Sequence, residues 1–203
     1  MRATLILMKM PLPAIILAAG ASRRLGQPKQ LLEFGSETLL ERALRITKEA
    51  GAAPVLAVLG ARFAPICATI SFSDAIPVLN ERWEEGISTS IHAGLHELAV
   101  RAPLSTGVLV MACDQPRLTA RHLRALIRAF ASHAHPVIAA SSYAGIHGIP
   151  AVFPRSLFTE LLALKGDKGA RSLIARELCP VASLQLEGGE IDIDLPDDLV
   201  HLG

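Results

Sequence analysis

Short apolar runs alternate with stretches of helical periodicity along this chain. Runs rich in Ile, Val, Leu and Ala without polar interruption are typical of strands that are buried on both faces. The first, over 14–19, is the clearest. The further strand candidates are 54–59, 76–79, 108–113, 136–140 and 151–153.

Helical patterns lie between these runs. Thr38 and Glu41 have the spacing of a capping box, and the apolar face that follows ends before Gly51. Thr119 is placed to cap a second helix, with Leu123, Leu126, Ile127 and Phe130 on its inner face. Further helices are predicted over 88–100, 156–164 and 170–178. The alternation predicts an α/β fold, a doubly wound and mostly parallel sheet with helices on both faces. Ligands of such sheets bind beyond the carboxyl ends of the strands.

Composition is that of one globular domain. The chain has 203 residues, of which 51% are hydrophobic and 19% charged, so a large core is available and disorder is not expected. A net charge of +1 provides no strong field for nucleic acid, so that partner is not expected. Three cysteines without Cys-x-x-Cys spacing favour a reducing cytoplasm and small buried apolar roles.

The N-terminus has two interpretations. Arg2, the apolar residues after it and the alanines at 18, 19 and 21 imitate a secretory signal with its cleavage site. Lys9 and two prolines interrupt that run, however, and cleavage there would remove the first strand. We therefore expect residues 1–12 to form a loosely held extension and 13–203 to form the domain. No apolar segment approaches the roughly 20 residues of a membrane span, so no membrane partner is expected.

A glycine-rich loop carrying cations follows the first strand. Gly20 and Gly26 permit backbone conformations and close approaches that let successive N–H groups point at an anion. Arg24 and Lys29 add full positive charges to this loop. The spacing fits neither a P-loop nor a dinucleotide fingerprint. The loop nevertheless predicts that the chain binds the phosphates of a nucleotide.

The stretch 17–29 reads Leu-Ala-Ala-Gly-x-Ser-x-Arg-x-Gly-x-x-Lys. It resembles the signature of nucleotidyltransferases that join a nucleoside triphosphate to a phosphate-bearing acceptor, and within them the molybdenum-cofactor guanylyl- and cytidylyltransferases. The resemblance implies a Rossmann-like nucleotidyltransferase fold. It implies nucleotide binding by these residues of the loop: Leu17, Ala18, Ala19, Gly20, Ser22, Arg24, Gly26 and Lys29.

Two acidic residues are candidates for binding Mg²⁺. Asp114 and the preceding Cys113 come immediately after the strand at 107–112, where a carboxylate faces the same edge of the sheet as the phosphate loop. Residues 192–199 resemble a closing element of the family in which Asp194 takes the metal-ligand position, although Asp192 is able to exchange roles with it. We expect an alternating strand there, running into a helix that begins at a proline. Catalytic roles are implied for Lys29, Arg24 and Asp114.

A third element is predicted to bind the nucleobase. Residues 86–95 resemble the family's Gly-x-Ser-x-Ser-x-x-x-Gly-Leu stretch, which implies roles for Ser88, Ser90 and Gly94. Small residues at the start of a helix let a flat base lie against free N–H groups. A purely structural alternative is that Ser88 caps the helix.

The acceptor side resembles the molybdopterin cytidylyltransferase branch. There a Gly-x-Pro strand start precedes Gly-Asp-x-Gly-Ala-Arg, and this chain carries both patterns, at 148–150 and 166–171. Acceptor binding is thus implied for Gly148, Pro150, Asp167, Lys168 and Arg171. Asp167 alternatively caps a helix. Gln115 stands where better-known members have Met, and His147 and Ile149 also depart from the pattern.

The expected reaction is Mg²⁺-dependent transfer of a nucleoside monophosphate from CTP, with GTP as the alternative donor, to the phosphate of molybdopterin, with release of pyrophosphate. A molybdoenzyme or its accessory protein is an implied partner. Two alternatives remain: a transferase acting on a sugar phosphate or methylerythritol phosphate, and a non-catalytic nucleotide sensor. A separation of Asp114 and Asp194 beyond roughly 10 Å would favour the sensor, because one ion then could not bind both.

Overall fold

A seven-stranded sheet organises the molecule, which a computed structural model describes over residues 11–202. The strand order is β5-β4-β1-β6-β8-β7-β9, with β8 antiparallel to its neighbours and every other adjacent pair parallel. This confirms the doubly wound, mostly parallel α/β fold. The strands of the described chain are β1 (Ala14–Ala18), β2 (Glu33–Phe34), β3 (Glu37–Thr38), β4 (Val55–Leu59), β5 (Ile76–Leu79), β6 (Gly107–Ala112), β7 (Ile138–Tyr143), β8 (Ile146–Pro154) and β9 (Val181–Gln185), of which β2 and β3 form a separate hairpin.

Helices cover both faces of the sheet. The α-helices are α1 (Leu39–Glu49), α2 (Phe63–Thr69), α3 (Ile87–Arg101), α4 (Ala120–Ser132), α5 (Phe158–Leu162) and α6 (Ala170–Ile174), and shorter 3-10 turns span Lys29–Leu31, Trp83–Glu85, Arg155–Leu157 and Pro196–Leu202. Alternate residues of β1 point to opposite layers, Ile16 toward α1, α2 and α4 and Ile15 toward α3, α5 and α6. Burial of β1 on both faces explains its unbroken apolar run.

The predicted helix starts are confirmed in detail. Glu41 N–H donates to Thr38 Oγ1 at 3.2 Å, and Thr38 N–H donates to Glu41 Oε2 at 2.9 Å, which is the reciprocal capping box. Thr119 accepts from His122 N–H at 3.2 Å and caps α4. Gly51 adopts a φ of +89° after α1 and ends that helix.

Other predicted boundaries were wrong. The helix expected over 156–164 divides into a 3-10 turn and the short α5, and the helix expected over 170–178 ends at Ile174 because the chain turns at Glu177, with φ +50°, into β9. Residues 192–194 are extended without strand pairing and lead into a 3-10 helix. The strands expected at 136–140 and 151–153 are β7 and β8, and β8 extends over nine residues because it pairs with β6 and β7.

Three elements of the structure have no recognisable pattern in the sequence and were not predicted. Helix α2 is only seven residues long, β9 is a partly exposed edge strand, and the β2–β3 hairpin has two residues per strand. Most of the predicted extension lies outside the described residues, although Leu12 within it is buried and its carbonyl accepts from Ala53 N–H at 3.0 Å. Across 11–202 no helix has the length and apolarity to cross a membrane. The cysteines are free thiols, and only Cys113 is buried.

Candidate active site

The loop after β1 folds around one serine. Ser22 adopts a left-handed φ of +52°, its carbonyl accepts from Leu25 and Gly26 N–H at 3.1 Å each, and its hydroxyl oxygen accepts from Lys29 N–H at 3.1 Å. Gly26 has a φ of +76°, which glycine adopts without strain. A Cβ at Gly20 would face open space, so a ligand has room to approach the backbone there. The loop is therefore preformed with its concave side toward the carboxyl edge of the sheet.

Gln30 supports this loop, a role that was not predicted from the sequence. Its side chain is 1% exposed, and its amide nitrogen donates to the carbonyls of Ala18 at 2.7 Å and Gly20 at 2.9 Å. These bonds tie the end of β1 to the 3-10 turn that carries Lys29. A glutamine directly after a cationic residue has no distinctive pattern, so only the three-dimensional structure reveals its role.

The centre of the site is an ammonium group between two carboxylates. Lys29 Nζ donates to Asp114 Oδ2 at 2.5 Å and to Asp194 Oδ1 at 2.7 Å. The two carboxylate oxygens are therefore at most about twice that distance apart, well inside the separation that would indicate a sensor. Arg24 donates to the other oxygen of Asp194 at 2.8 Å. Lys29 and Asp114 are largely buried, while 42% of the Asp194 side chain is exposed.

The charges of this cluster stabilise one another. Burial by itself would lower the pKa of Lys29, but the charge of Asp114 and the hydrogen bonds to Asp114 and Asp194 raise it on balance. The hydrogen bond from Lys29, with the charges of Lys29 and Arg24, lowers the pKa of Asp194 despite partial burial. Lys29 is accordingly a cation and Asp194 an anion at neutral pH.

The C-terminal segment is held so that Asp194 reaches the site. Ile193 is fully buried and its N–H donates to the carbonyl of Asp114 at 3.1 Å. Asp198 Oδ2 accepts from the backbone N–H groups of Asp194 at 2.9 Å and Leu195 at 2.7 Å. Asp192 does not contact Lys29. Asp192 is an exposed residue, yet partial loss of hydration at its carboxyl raises its pKa to about 7, and the charges of Asp114 and Asp194 act in the same direction.

The two carboxylates have the chemistry needed to hold a divalent cation. Asp114 Oδ1 is buried and has no hydrogen-bond partner among residues 11–202, so this anionic oxygen is available to a ligand. Within 11–202 no group of three or more His, Cys, Asp or Glu side chains is arranged to hold a metal. Mg²⁺ in phosphoryl-transfer sites is commonly held by one or two carboxylates together with substrate phosphates and water. Asp114 and Asp194 are sufficient for such a site.

A cleft of about 620 Å³ joins the phosphate loop to the start of α3. One end is formed by the loop and by Lys29 and Asp114, and the other by Trp83, Gly86 and Ser90. The predicted loop residues that line it are Leu17, Ala18, Ala19, Gly20 and Ser22.

Asn80 holds the start of α3 in place at the far end of the cleft, a role that was also not predicted from the sequence. It is 4% exposed, and its side-chain nitrogen donates to Thr89 Oγ1 at 2.9 Å and Ser90 Oγ at 3.0 Å. Across the cleft, Arg23 pairs with Glu84 at 3.0 Å and lies 5.9 Å from the ring centre of Trp83. Arg23 thus lines the cleft, whereas the predicted Arg24 turns toward Asp194.

Two residues that were predicted to bind the base, Ser88 and Gly94, do not line the cleft. Ser88 is 1% exposed, and its hydroxyl oxygen has no partner in the described part of the chain, so its side chain does not cap α3. Gly94 faces the sheet, where a Cβ would lie 2.8 Å from Ile15 Cγ2. Its small size allows α3 to pack on β1, and it does not line the cleft.

The predicted acceptor residues do not share one cavity. Gly148 lies under the Tyr143 hydroxyl, where a Cβ would approach within 2.2 Å, and Pro150 is buried with its carbonyl accepting from Ser141. Arg171 lines a separate cavity of about 710 Å³ beside α6. Asp167 and Lys168 are both exposed. Asp167 lines the nucleotide cleft, and Lys168 does not.

A preformed phosphate loop facing a lysine and two carboxylates at the carboxyl edge of a parallel sheet defines a nucleotidyltransferase site. Comparison with known proteins agrees. The chain belongs to the family described as the MobA-like NTP transferase domain, whose model matches residues 14–181.

Curated relatives and solved structures span nearly the same length. The purine catabolism protein PucB of Bacillus subtilis is 31% identical over 91% of this chain and 92% of its own. The nicotine blue oxidoreductase of Paenarthrobacter nicotinovorans is 29% identical over 93% and 94%. A probable molybdenum cofactor guanylyltransferase of Opitutus terrae is 28% identical over 81% and 78%. A Mycobacterium tuberculosis protein, Rv0371c, solved in complex with manganese, superimposes with a TM-score of 0.78 at 28% identity, covering 95% of this chain and 98% of that one.

Proposed function

We propose that this nucleotidyltransferase moves cytidine monophosphate from CTP to the terminal phosphate of a molybdopterin acceptor and releases pyrophosphate. The observation that supports it most is the convergence of Asp114 and Asp194 on Lys29 at the mouth of the phosphate loop. A protein that only sensed nucleotides would need the loop but not this pair of carboxylates.

Each charged side chain has a task in an in-line displacement at the α-phosphorus. Lys29, at the junction of loop and carboxylates, neutralises charge between the attacking and leaving oxygens. The N–H groups of the Gly20–Gly26 loop hold the β- and γ-phosphates, assisted by Arg24 once it leaves Asp194. The acceptor phosphate is already an anion and attacks without a general base. Catalysis is then positioning and electrostatic stabilisation.

Asp114 and Asp194 would hold a divalent cation, for which Mg²⁺ is our proposal. Bound there, it would supply positive charge to phosphate oxygens. The unpartnered Oδ1 of Asp114 supports this assignment, and so does the manganese complex of the mycobacterial relative.

The acceptor and the base rest on the weaker resemblance of residues 148–150 and 166–171 to the cytidylyltransferase branch. GTP is the second candidate, because one relative is named a probable guanylyltransferase of the molybdenum cofactor. A sugar phosphate or methylerythritol phosphate acceptor is disfavoured by the same 166–171 element.

Pyrophosphate release from a panel of four triphosphates, with Mg²⁺ and either molybdopterin or a sugar phosphate, tests the proposal. We expect release with CTP and molybdopterin. A preference for GTP would contradict the cytidylyl assignment, and release only with the sugar phosphate would contradict the acceptor. Tight triphosphate binding without release for any acceptor would favour the sensor.

A further inference from the structure

Asp167 lies at the base end of the nucleotide cleft, although its sequence motif groups it with the acceptor residues. It lines the same cavity as Gly86 and Ser90, opposite the phosphate loop and Lys29. A triphosphate seated in the loop therefore directs its base toward this carboxylate.

The backbone beneath Asp167 is fixed against the start of α3. Ser88 N–H donates to the carbonyl of Gly166 at 3.1 Å. A Cβ added at Gly86 would lie 2.4 Å from that carbonyl oxygen and 2.8 Å from the nitrogen of Asp167. This contact sets the position of Asp167 relative to Ser90, a polar side chain near the start of α3 that also lines the cleft.

The two side chains offer opposite hydrogen-bonding character. Ser90 Oγ accepts from Asn80 at 3.0 Å, and its own proton has no acceptor among the described residues, so it is left to donate. The Asp167 carboxylate forms no hydrogen bond or ion pair within 11–202, and a carboxylate only accepts. Ser90 and Asp167 thus offer one donor and one acceptor. The Glu84 carboxylate, which also lines the cleft, is paired with Arg23 at 3.0 Å.

We propose that Asp167 is a specificity-determining residue that accepts a hydrogen bond from the exocyclic amino group of cytosine, while Ser90 donates to a ring acceptor. The inference rests on the proposed function, since it concerns the base of the transferred nucleotide. Uracil has a carbonyl oxygen where cytosine has its amino group, and a carboxylate facing that oxygen is repelled. A site whose polar groups are left unpaired rejects the wrong base strongly.

Equilibrium binding of CTP and UTP to the full chain with Mg²⁺, measured by calorimetry, tests this role. The variant is Asp167→Asn, whose amide is able either to accept from cytosine or to donate to uracil. Asp74→Asn is the matched control, because Asp74 is exposed in the turn before β5, away from the cleft. We expect wild type and control to prefer CTP by about 10- to 100-fold, the range of one charged hydrogen bond. In Asp167→Asn the preference should fall to within about threefold.

Three results would contradict the inference, in distinguishable ways. Equal binding of CTP and UTP by the wild type, or an unchanged preference in Asp167→Asn with unaltered thermal stability, would remove Asp167 from base selection and leave the proposed function intact. Failure of the wild type to bind any triphosphate would overturn the proposed function itself.

Discussion

Replacing Lys29 by alanine tests the centre of the site most directly. The ammonium donates to Asp114 at 2.5 Å and to Asp194 at 2.7 Å, and its side chain is 16% exposed. Removal leaves the two carboxylates facing each other, with only Arg24 still paired to Asp194. No core packing is lost, so the fold should remain.

The change has two effects whose size can be worked out, a loss of rate and a repulsion between the two carboxylates. Losing one charged contact made in the transition state lowers the rate roughly 10²–10³-fold, by analogy with oxyanion-hole donors. Separately, two carboxylate charges about 5 Å apart repel by about 3 kcal/mol at an effective dielectric constant near 20. The exposure of Asp194 reduces that repulsion through solvent screening. A divalent cation would relieve it, so Lys29→Ala should bind metal at least as tightly as the wild type while turning over far more slowly.

The assay combines steady-state pyrophosphate release with titration of Mn²⁺ by calorimetry. Lys48→Ala is the matched control, since Lys48 lies in the last turn of α1 and donates only to the carbonyl of Phe72. We expect the control to match the wild type in both measurements. Turnover of Lys29→Ala within about threefold of the wild type would refute a role in transition-state stabilisation. Weaker metal binding in the variant would refute the expectation that a divalent cation relieves the repulsion between the two carboxylates.

Further predictions concern metal, packing and pH. Asp114→Asn keeps the shape but removes an anionic ligand, so Mg²⁺-dependent release should collapse while calorimetric triphosphate affinity falls far less; equal losses would mean that Asp114 only supports the loop. Gly94→Ala should lower the free energy of unfolding in urea by about 1–3 kcal/mol through contact with Ile15, without altering nucleotide affinity, and an unchanged stability would contradict the packing role. Burial lowers the pKa of His122 below 6.5, so the folded state is stabilised by the neutral imidazole above that pH and loses stability as the pH falls. The Tm of His122→Gln should therefore fall less than that of the wild type between about pH 7.5 and 5.5. The Tm of the control His133→Gln, at an exposed position, should fall as much as that of the wild type. A parallel loss in His122→Gln and wild type would show that this histidine does not govern the acid sensitivity.

Features encoded by neighbours in sequence could be predicted from sequence. The capping box of Thr38 and Glu41 and the cap at Thr119 depend on residues three apart, and both are present. The phosphate loop is also local, since its turn is made by bonds within residues 22–29.

Support from distant residues could not be predicted. Gln30 holds carbonyls 10 and 12 residues earlier, and Asn80 holds hydroxyls at the start of the next helix. Buried polar side chains of this kind satisfy backbone groups whose neighbours only the fold determines. Asp167 follows the same rule: its motif predicts a functional residue, whereas its place in the nucleotide cleft depends on the contact of Gly166 with the start of α3.

Strand β9 and the first part of β8 were not predicted, for a different reason. Strand β9 is a partly exposed edge strand. Strand β8 lies inside the sheet, but its first residues include His147 and Gly148 and pair with β7 alone, so they form no apolar run. An apolar run is expected only where both faces are covered, so strands at the periphery lack the signal that identified β1.

The close contact between Gly86 and Gly166 limits how this enzyme is able to diversify. Any side chain at 86 would collide with the backbone of the other loop, so neither loop is free to be rebuilt alone. Selectivity for another nucleotide is then most accessible through exchanges of side chains, such as the one at 167, on an unchanged backbone. Directed evolution that randomises residues pointing into the cleft should yield more folded variants than insertions or deletions in either loop.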